Sequence, residues 1–460
     1  MKLTLPVALC LLPLALSARA AAPTFNRDIA PIIWGQCAGC HHKGEVAPFT
    51  LTSYRDVSKR AGQIAEITAS RTMPPWKAEP GHGDFQNERR LTDEQIRLID
   101  AWAKAGAPEG EAADLPPLPT FTDGWALGEP DVVVTMAEPY TLGAEGPDVF
   151  RCFVVPLEIP AGKFVRAVEY RPANRKVTHH ALLSLDNAGM ARRLDAADPG
   201  PGYSRMGGVG FLPTGGLGGW APGSPPHRFP EHAARAIPRG TDLVIQTHFH
   251  PSGKPETEQA SVGIYLTDES PTRVATTLPL GVRSTIDIPP GVKDYTWSDA
   301  FTLPVAVEVP HVSPHAHYLC RDMKVWATLP DGQRQWLIWI KDWDFDWQGQ
   351  YLYKQPLQLP AGTRIEMVYT YDNSADNPRN PSNPPRRVRR GEQTTDEMGI
   401  TFISVMPHTL ADVTTLRTAM RRHFLAGGGA SRGGNQASRL GGFLRRLAGV
   451  GSAPATRPAK

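Results

Sequence analysis

Leu243-Val244-Ile245-Gln246-Thr247-His248-Phe249 is a short, mostly apolar run with Pro and Gly residues close to both of its ends. Short runs of this kind are typical of β-strands, whereas a helix needs a longer segment with a period near 3.6 residues. Similar runs recur at 132–134, 164–170 and 364–370, and helical patterns are scarce between them. The sequence therefore predicts antiparallel β-sandwiches, and this region of roughly 300 residues is long enough for two.

The histidines of this β-rich region fall into three groups, which are His179-His180, His248-x-His250 and His315-x-His317. On a strand, residues i and i+2 share one face with Cα atoms roughly 6 to 7 Å apart, so both rings of a His-x-His segment can reach one metal ion. Adjacent residues point to opposite faces, so His179 and His180 can share an ion only at a strand end or a β-bulge. A lone histidine is more often a surface or core residue, but three groups in one region predict metal binding.

Nearer the N-terminus, Cys37-Ala38-Gly39-Cys40-His41 has the spacing of a c-type haem attachment sequence. Two thiols at this spacing reach the two vinyl groups of one haem, and the imidazole of His41 then lies under the iron. Met73, in a proline-bordered loop, is the expected sixth ligand, and His/Met ligation favours electron transfer over oxygen binding.

The alternatives for this cysteine pair are a redox dithiol, a disulfide or a pair of zinc ligands. Zinc would need two further ligands, and although His42 and His82 exist, the segment has no other cysteine. Helical patterns flank it at 24–33 and at 92–104, where Thr92 is the expected N-cap. Helix, attachment loop, methionine loop and closing helix resemble a small class I cytochrome c over about residues 24–107. The resemblance implies a small all-α domain with one covalently bound c-type haem. The Pro-rich sequence that follows predicts a linker at 108–124.

A second resemblance rests on four motifs: His179-His180, Gln246-Thr247-His248, His315-Ala316-His317 and Asp396-Glu397-Met398. Their order is that of the copper type II, ascorbate-dependent monooxygenases, a family that includes the peptidylglycine- and dopamine β-hydroxylating enzymes. The chain resembles this family over roughly residues 125–415. The resemblance implies two consecutive all-β jelly-roll sandwiches, expected at 125–280 and 281–415, each holding one copper ion across a solvent-filled cleft.

The same resemblance assigns a role to each motif. His179, His180 and His248 would hold the copper that stores electrons, and His315, His317 and Met398 the copper that binds oxygen and substrate. Imidazoles accept both oxidation states of copper, whereas a thioether favours Cu(I), the state that must meet O2. Met398 is therefore the most diagnostic residue, with an ordinary buried methionine as its alternative. His250 shares a face with His248 and is either a ligand or a neighbour of one.

The activity implied is hydroxylation of a C–H bond of a small organic substrate by O2. Electrons would come from a small reductant or a redox protein through the fused cytochrome. A non-catalytic electron carrier or redox sensor is the main alternative, and a binding module that has lost its coppers is the third. Peptide-amidating members carry Arg, Asn and Tyr where this chain has Ser313, Ile400 and Phe402. This difference argues against a peptidylglycine substrate and favours a neutral or weakly polar one.

The charge distribution and the two ends of the chain indicate the cellular location and the class of partner to expect. Residues 1–20 have the charged, apolar and small-residue regions of a secretory signal peptide, and the apolar run is shorter than a membrane anchor needs. We therefore expect a periplasmic or secreted protein without a transmembrane segment in its mature form. Residues 416–460 are basic and Gly-rich, with nine Lys or Arg and no acidic residue from position 417 on, and we expect them to be disordered. Without those nine and the leader's two, 38 basic residues stand against 46 acidic ones, which argues against nucleic-acid binding.

Two side-chain sets remain open at this stage. Cys152 and Cys320 either pair or stay reduced, because the sequence gives no distance between them. Asp342, Asp344 and Asp346 alternate with apolar and aromatic residues, which indicates the solvent face of a strand, with a calcium site as the alternative.

Overall fold

The computed structural model describes residues 22–426 except 46, 122–123, 207, 212, 223–225, 282–285 and 392. The predicted signal peptide and the part of the predicted tail from residue 427 lie outside these residues. The described residues form two compact units. The first consists of residues 22–38, 49–74 and 91–119, and the second of residues 39–48, 75–90 and 120–426.

The regular elements described in the first unit are all helical. A π-helical turn at Phe25–Ile29 continues into α1, and the full set is α1 (Ala30–Gln36), α2 (Tyr54–Ser58), α3 (Ala61–Ala69), α4 (Asp93–Lys104) and a 3-10 turn at Ala112–Asp114. The expected N-cap of α4 is confirmed, because the Thr92 hydroxyl accepts from the backbone N–H of Gln95. Phe25 is fully buried, with its ring centre 6.1 Å from that of Trp102.

The second unit is mostly β-sheet, and its first core lies between two antiparallel sheets. One sheet has the order β6-β3-β9-β5-β7 and the other β1-β11-β4-β8, with β2 and β10 forming a separate pair. The strands are β1 (Val132–Thr135), β2 (Tyr140–Leu142), β3 (Val149–Leu157), β4 (Phe164–Arg171), β5 (Thr178–Asp186), β6 (Tyr203–Ser204), β7 (Gly215–Trp220), β8 (His227–Arg228), β9 (Thr241–Phe249), β10 (Glu256–Glu258) and β11 (Ser261–Thr267), and α5 (Met190–Asp195) follows β5. β9 contains the run 243–249 and is buried at every position, because it is the middle strand of its sheet.

A second core also lies between two antiparallel sheets, with the orders β12-β21-β15-β18 and β14-β19-β16-β17. The elements are β12 (Thr276–Leu280), β13 (Asp287–Ile288), β14 (Tyr295–Thr302), β15 (Val307–Ala316), β16 (Cys320–Thr328), β17 (Arg334–Ile340), β18 (Tyr351–Leu359), β19 (Arg364–Tyr371), β20 (Val388–Arg389), β21 (Gly399–Pro407) and the helix α6 (Leu410–Ala426). The prediction of β-sandwiches is confirmed at this level, and the paired sheets are consistent with the jelly-roll expectation.

Three boundaries differ from the predicted ones. β12 lies before the expected division at 280 and 281, yet it pairs with β21, so the second sandwich already begins at Thr276. Residues 416–426, expected in a disordered tail, belong to α6, which buries Leu416 and Met420 in the second core. The periodicity of α6 is weakened by polar residues, so the helix was hidden in the sequence.

The third difference concerns the expected cytochrome domain at 24–107. Residues 39–48 and 75–90 group with the β-sheet unit instead of the helical one. Phe85 is buried in the second core, stacked on Tyr353 at 5.1 Å between ring centres. Backbone bridges also join Ala78 to Ile340 and Phe85 to Tyr353. Among the described residues, no helix is both long and apolar enough to cross a membrane.

Candidate metal centre

His179, His180 and His248 come together at one end of the first sandwich. His180 lies directly opposite His248 on the neighbouring strand, and the register of β5 shifts between Thr178 and His180. This irregularity is the β-bulge that the adjacent histidine pair requires. Because the bulge turns His179 out of the strand's alternation, all three rings face one point.

The three rings present the same atom to one another. Their Nδ1 atoms are 3.2 Å apart between His179 and His180, 3.1 Å between His179 and His248, and 3.4 Å between His180 and His248. The centre of such a triangle is about 1.9 Å from each corner, close to the 2.0–2.1 Å of a metal–imidazole bond. Nitrogen lone pairs this close repel one another, and a bound cation removes the repulsion. The donor set therefore fits a metal ion, and imidazole suits copper, zinc, iron and nickel.

Asp148 fixes the orientation of the third ring. Its Oδ2 is 2.6 Å from Nε2 of His248, and its Oδ1 is 2.8 Å from Nδ1 of His250. With Nε2–H of His248 donating to the carboxylate, Nδ1 of that ring carries the lone pair that faces the triangle. His250 is therefore a partner of Asp148 and lies outside the set of three nitrogens.

The protonation states of the clustered histidines and of Asp148 favour the binding of a cation. Burial, and then the neighbouring His248, lower the pKa of His179 to about 4, and the same two causes place the pKa of His180 well below its usual value. Although burial raises the pKa of Asp148, the hydrogen bonds from His248 and His250 lower it to about 2. At neutral pH the first two rings are uncharged and the carboxylate is ionised, as metal binding requires.

Replacing Asp148 with asparagine should weaken metal binding at the three-histidine site by roughly 10- to 100-fold, since the amide cannot hold Nε2–H of His248 as a carboxylate does. Competition against a chelator would measure the change. Asp376→Asn, at an exposed position where the carboxylate forms an ion pair with Lys293, should leave the affinity unchanged. Equal affinities for Asp148→Asn and the unaltered protein would contradict this role.

The second group, His315 and His317, lies at the end of β15, with ring centres 5.3 Å apart. Nδ1 of His315 is 2.7 Å from Oε1 of Gln348, and Nδ1 of His317 is 3.2 Å from the carbonyl oxygen of Asp396. When each Nδ1–H donates to these oxygens, each ring carries its lone pair on Nε2. Burial lowers the pKa of His315, and burial with His315 lowers that of His317 to about 4.

The sheet register and a buried carboxylate bring the backbone of Met398 close to this pair. Ala316 pairs with Gly399, so Met398 lies next to His317 across the two strands. Oε1 of the fully buried Glu397 accepts from the backbone N–H groups of His317 and of Met398, the latter at 2.8 Å. Burial raises the pKa of Glu397 to about 8, although these backbone donors lower it. One side chain thus holds the backbone of two predicted ligands.

The face of β15 that carries His315 also carries the residues that depart from the copper family. His315 is paired with Ile400 and Ser313 with Phe402, so these four side chains share a face. Ile400 is buried, whereas Phe402 is 39% exposed, one of few large apolar side chains in the described part that are. The arrangement keeps an apolar surface beside His315.

The two histidine groups lie near each other. His315 is among the groups that lower the pKa of His180, and a backbone hydrogen bond with Asp346 of the second sandwich raises that of His179, against a larger lowering by burial. The first sandwich therefore touches the second at the site itself.

The haem-attachment residues are spread over both units. Cys37 caps the C-terminus of α1, and its N–H donates to the carbonyl of Ile33 at 2.8 Å. Cys37 and Cys40 are both thiols, and Met73 follows α3 in the first unit. Trp34 Nε1 and Gln36 Oε1, just before the attachment sequence, are buried without a hydrogen-bond partner in the part of the chain that the structure describes. A polar cofactor edge would satisfy such atoms, so the residues of α1 fit the expected haem.

The structure also bears on the two side-chain sets that the sequence left open, the buried cysteines and the alternating aspartates. Cys152 and Cys320 are buried thiols in different sandwiches and form no disulfide among the described residues. The aspartates at 342, 344 and 346 lie in the connection between β17 and β18 instead of on a strand. Asp342 and Asp344 both pair with Lys77, and Asp342 also pairs with Arg379, so these cations take the role expected of calcium.

Sequence reasoning missed Asp148, Glu397 and Gln348 as neighbours of the histidines. Glu397 was visible inside the Asp-Glu-Met motif, but nothing in the sequence marked its carboxylate as a backbone acceptor. Asp148 and Gln348 are far from their histidines along the chain, and only the strand pairing brings them close.

Comparisons with known proteins add little. No family model matches the chain, and no curated protein matches it. Among solved structures, the VP2 subviral particle of infectious bursal disease virus is 13% identical at a TM-score of 0.18, over 65% of this chain and 76% of that one. The major capsid protein P2 of bacteriophage PM2 is 10% identical at a TM-score of 0.20, over 57% of this chain and 97% of that one. Similarities this remote carry no inference about fold or function.

Proposed function

We propose that this chain is an exported copper- and haem-dependent monooxygenase that hydroxylates a C–H bond of a small organic substrate. The observation that carries the proposal is the triangle of Nδ1 atoms formed by His179, His180 and His248. The Cys37-to-His41 attachment sequence, and the neighbouring rings of His315 and His317 at the register position of Met398, support it. The overall reaction would be R–H + O2 + 2 e⁻ + 2 H⁺ → R–OH + H2O.

When bound, two copper ions would supply one-electron storage and dioxygen reduction, and the haem would supply electrons one at a time. The chain's own residues do the positioning. Asp148 holds His248, Gln348 holds His315, and Glu397 holds the backbone at His317 and Met398. Ile400 and Phe402 would offer an apolar surface to a substrate beside His315.

The choice of copper over zinc rests on Met398. Three imidazoles bind several metals alike, but a thioether beside two imidazoles favours a soft ion such as Cu(I). The proposed electron donor is a small reductant or a redox protein, and the proposed location is the periplasm or the medium, where the predicted leader and covalent haem attachment belong together.

The copper content of two variants tests the two-site arrangement. His179→Ala and His315→Ala should each bind one copper per chain where the unaltered protein binds two, because the ligands lie in different sandwiches. Both variants should also lose substrate-dependent oxygen consumption with an external reductant. Loss of both ions from either variant would indicate one shared site, and oxygen consumption that no substrate affects would favour an electron carrier.

Covalent haem attachment is tested by extraction. Acid-acetone treatment of the purified protein should leave the haem on the polypeptide, since thioether bonds to Cys37 and Cys40 survive conditions that release a coordinated haem. Cys40→Ala should reduce the retained haem strongly. Transfer of the haem into the organic phase, as in a non-covalent haem protein treated in parallel, would overturn the assignment.

A further inference from the structure

A group of hydrogen-bond donors, distinct from the metal-site histidines, lies where the two sandwiches meet. His227 lies on β8, an edge strand of the first sandwich, and His311 lies on β15 of the second, with ring centres 6.4 Å apart. His227 packs edge-on against Phe229 at 4.9 Å, and the guanidinium of Arg235 lies 5.6 Å from the centre of the same ring. We refer to His227, Arg235 and His311 as the donor cluster.

The charge of Arg235 is not balanced within the described part of the chain. No described carboxylate forms an ion pair with its guanidinium, and its Nε is buried without a hydrogen-bond partner. Burial, and then Arg417, lower the pKa of Arg235. A mostly buried cation without a partner is costly, so natural proteins seldom keep one where it binds nothing.

The two imidazoles add further donors to the cluster. Neither ring makes a hydrogen bond with any of the described residues. Burial, with the charge of Arg235, lowers the pKa of His227 to about 4, and burial with His227 lowers that of His311 to about 4. At neutral pH each ring is therefore uncharged and still offers one N–H donor.

The backbone of β7 is shaped around two members of the cluster. A Cβ at Gly215 would lie 2.6 Å from Nη1 of Arg235, and a Cβ at Gly218 would lie 2.7 Å from Cγ of His227. Gly218 also has a φ of +95°, a backbone conformation that residues with a side chain rarely adopt. Gly218 thus makes the space in which the His227 ring sits, and Gly215 leaves room for the end of the Arg235 side chain.

We propose that the donor cluster is a binding site for an oxyanion, in the form of a carboxylate, phosphate or sulfate group. Arg235 would supply the charge and a planar fork of donors, and each of the two imidazoles would donate one N–H. An oxygen that accepts from both rings would be about 2.8 Å from each nitrogen, which ring centres 6.4 Å apart allow. A metal ion fits less well, because the guanidinium would repel it.

The oxyanion site goes beyond the proposed oxygen chemistry and stands without it. Two sources share its chemistry: a free inorganic anion, or the carboxylate of an organic compound. His311 and His315 share one face of β15 with their Cα atoms about 13 Å apart along the strand. If the proposed function holds, an organic carboxylate bound at the cluster would extend towards the second metal site.

Calorimetric titration of the intact, copper- and haem-loaded protein would test the site, with inorganic phosphate, sulfate, acetate and benzoate as probes at constant ionic strength. We expect at least one probe to bind, and Arg235→Gln and His311→Gln each to weaken that binding about tenfold or more. Arg239→Gln, four residues away and exposed, should change it less than about twofold. Tighter binding of phosphate or sulfate would identify a free anion, and tighter binding of benzoate an organic carboxylate.

Thermal unfolding separates a binding role from a purely structural one. Without added anion, Arg235→Gln should unfold at the same temperature as the unaltered protein or a higher one, because the substitution removes an unpaired buried charge. With the best probe present, the unaltered protein should gain stability and the variant should not. His311→Gln gives an independent answer if Arg235→Gln fails to fold.

Two outcomes would overturn the site. One is the absence of binding by every probe up to concentrations on the order of 10 mM, and the other is undiminished binding by both variants. Copper content measured on the same samples keeps this result apart from the proposed function, since loss of the oxyanion site should leave both ions in place.

Discussion

Replacing Met398 with leucine should abolish product formation while the protein keeps its fold and its haem. Leucine has similar volume and apolar character, so the free energy of unfolding should fall by less than about 1.5 kcal/mol. Leucine lacks the thioether, however, and a soft ligand to Cu(I) would be lost. X-ray absorption of the reduced protein should therefore lose its copper–sulfur signal, and substrate hydroxylation should fall below detection.

Met323→Leu is the matched control. Met323 is fully buried in the core of the second sandwich, so the same substitution tests packing without touching the candidate site. This variant should keep both the copper–sulfur signal and the activity. If Met398→Leu turned over substrate like the unaltered protein with its sulfur signal unchanged, Met398 would be a packing residue, and the electron-carrier interpretation would be preferred.

Replacing Glu397 with alanine should cost both stability and the second metal ion. The carboxylate accepts from the backbone N–H groups of His317, Leu319 and Met398, of which the first two are buried and the third is half-buried. Each donor left without a partner costs about 1–3 kcal/mol, so the free energy of unfolding should fall by at least about 3 kcal/mol. Because the same bonds hold the backbone of two predicted ligands, copper should also be lost from the second site.

Glu258→Ala separates these two effects. Glu258 is a buried carboxylate of the first sandwich that accepts from the backbone N–H groups of Ala173 and Asn174. Its loss should destabilise the protein but leave the second copper in place. Denaturant unfolding and metal analysis of the two variants side by side would measure this. A second site that stays fully loaded in folded Glu397→Ala would contradict the positioning role.

The β-sandwiches were predictable because a short apolar run directly indicates a buried strand. The run 243–249 reads as a buried strand, and it is the middle strand β9. Because side chains alternate between the two faces of a strand, the sequence also indicated that His179 and His180 can share an ion only at a strand end or a β-bulge. The sequence could not show where the bulge lies. The register of β5 against β9 determines its position, and that register depends on side chains distant in sequence.

The surroundings of the histidines were beyond sequence reasoning for the same reason. Asp148 precedes β3, and it meets His248 only because β3 and β9 are neighbours. The boundary of the second sandwich was misplaced because β12 is a short strand whose partner, β21, follows more than a hundred residues later. Local patterns identify strands and candidate ligands, whereas long-range pairing decides which of them meet.

The proposed function requires that reduced copper at two separate sites drives oxygen insertion. Its most direct test is a single turnover, in which the dithionite-reduced, copper-loaded protein is mixed with isotopically labelled dioxygen and a panel of small neutral and carboxylate-bearing substrates. We predict that at least one substrate yields a product carrying one labelled oxygen atom, and that His179→Ala and His315→Ala yield none. Reoxidation of the protein at the same rate in both variants, without labelled product from any substrate, would contradict the claim.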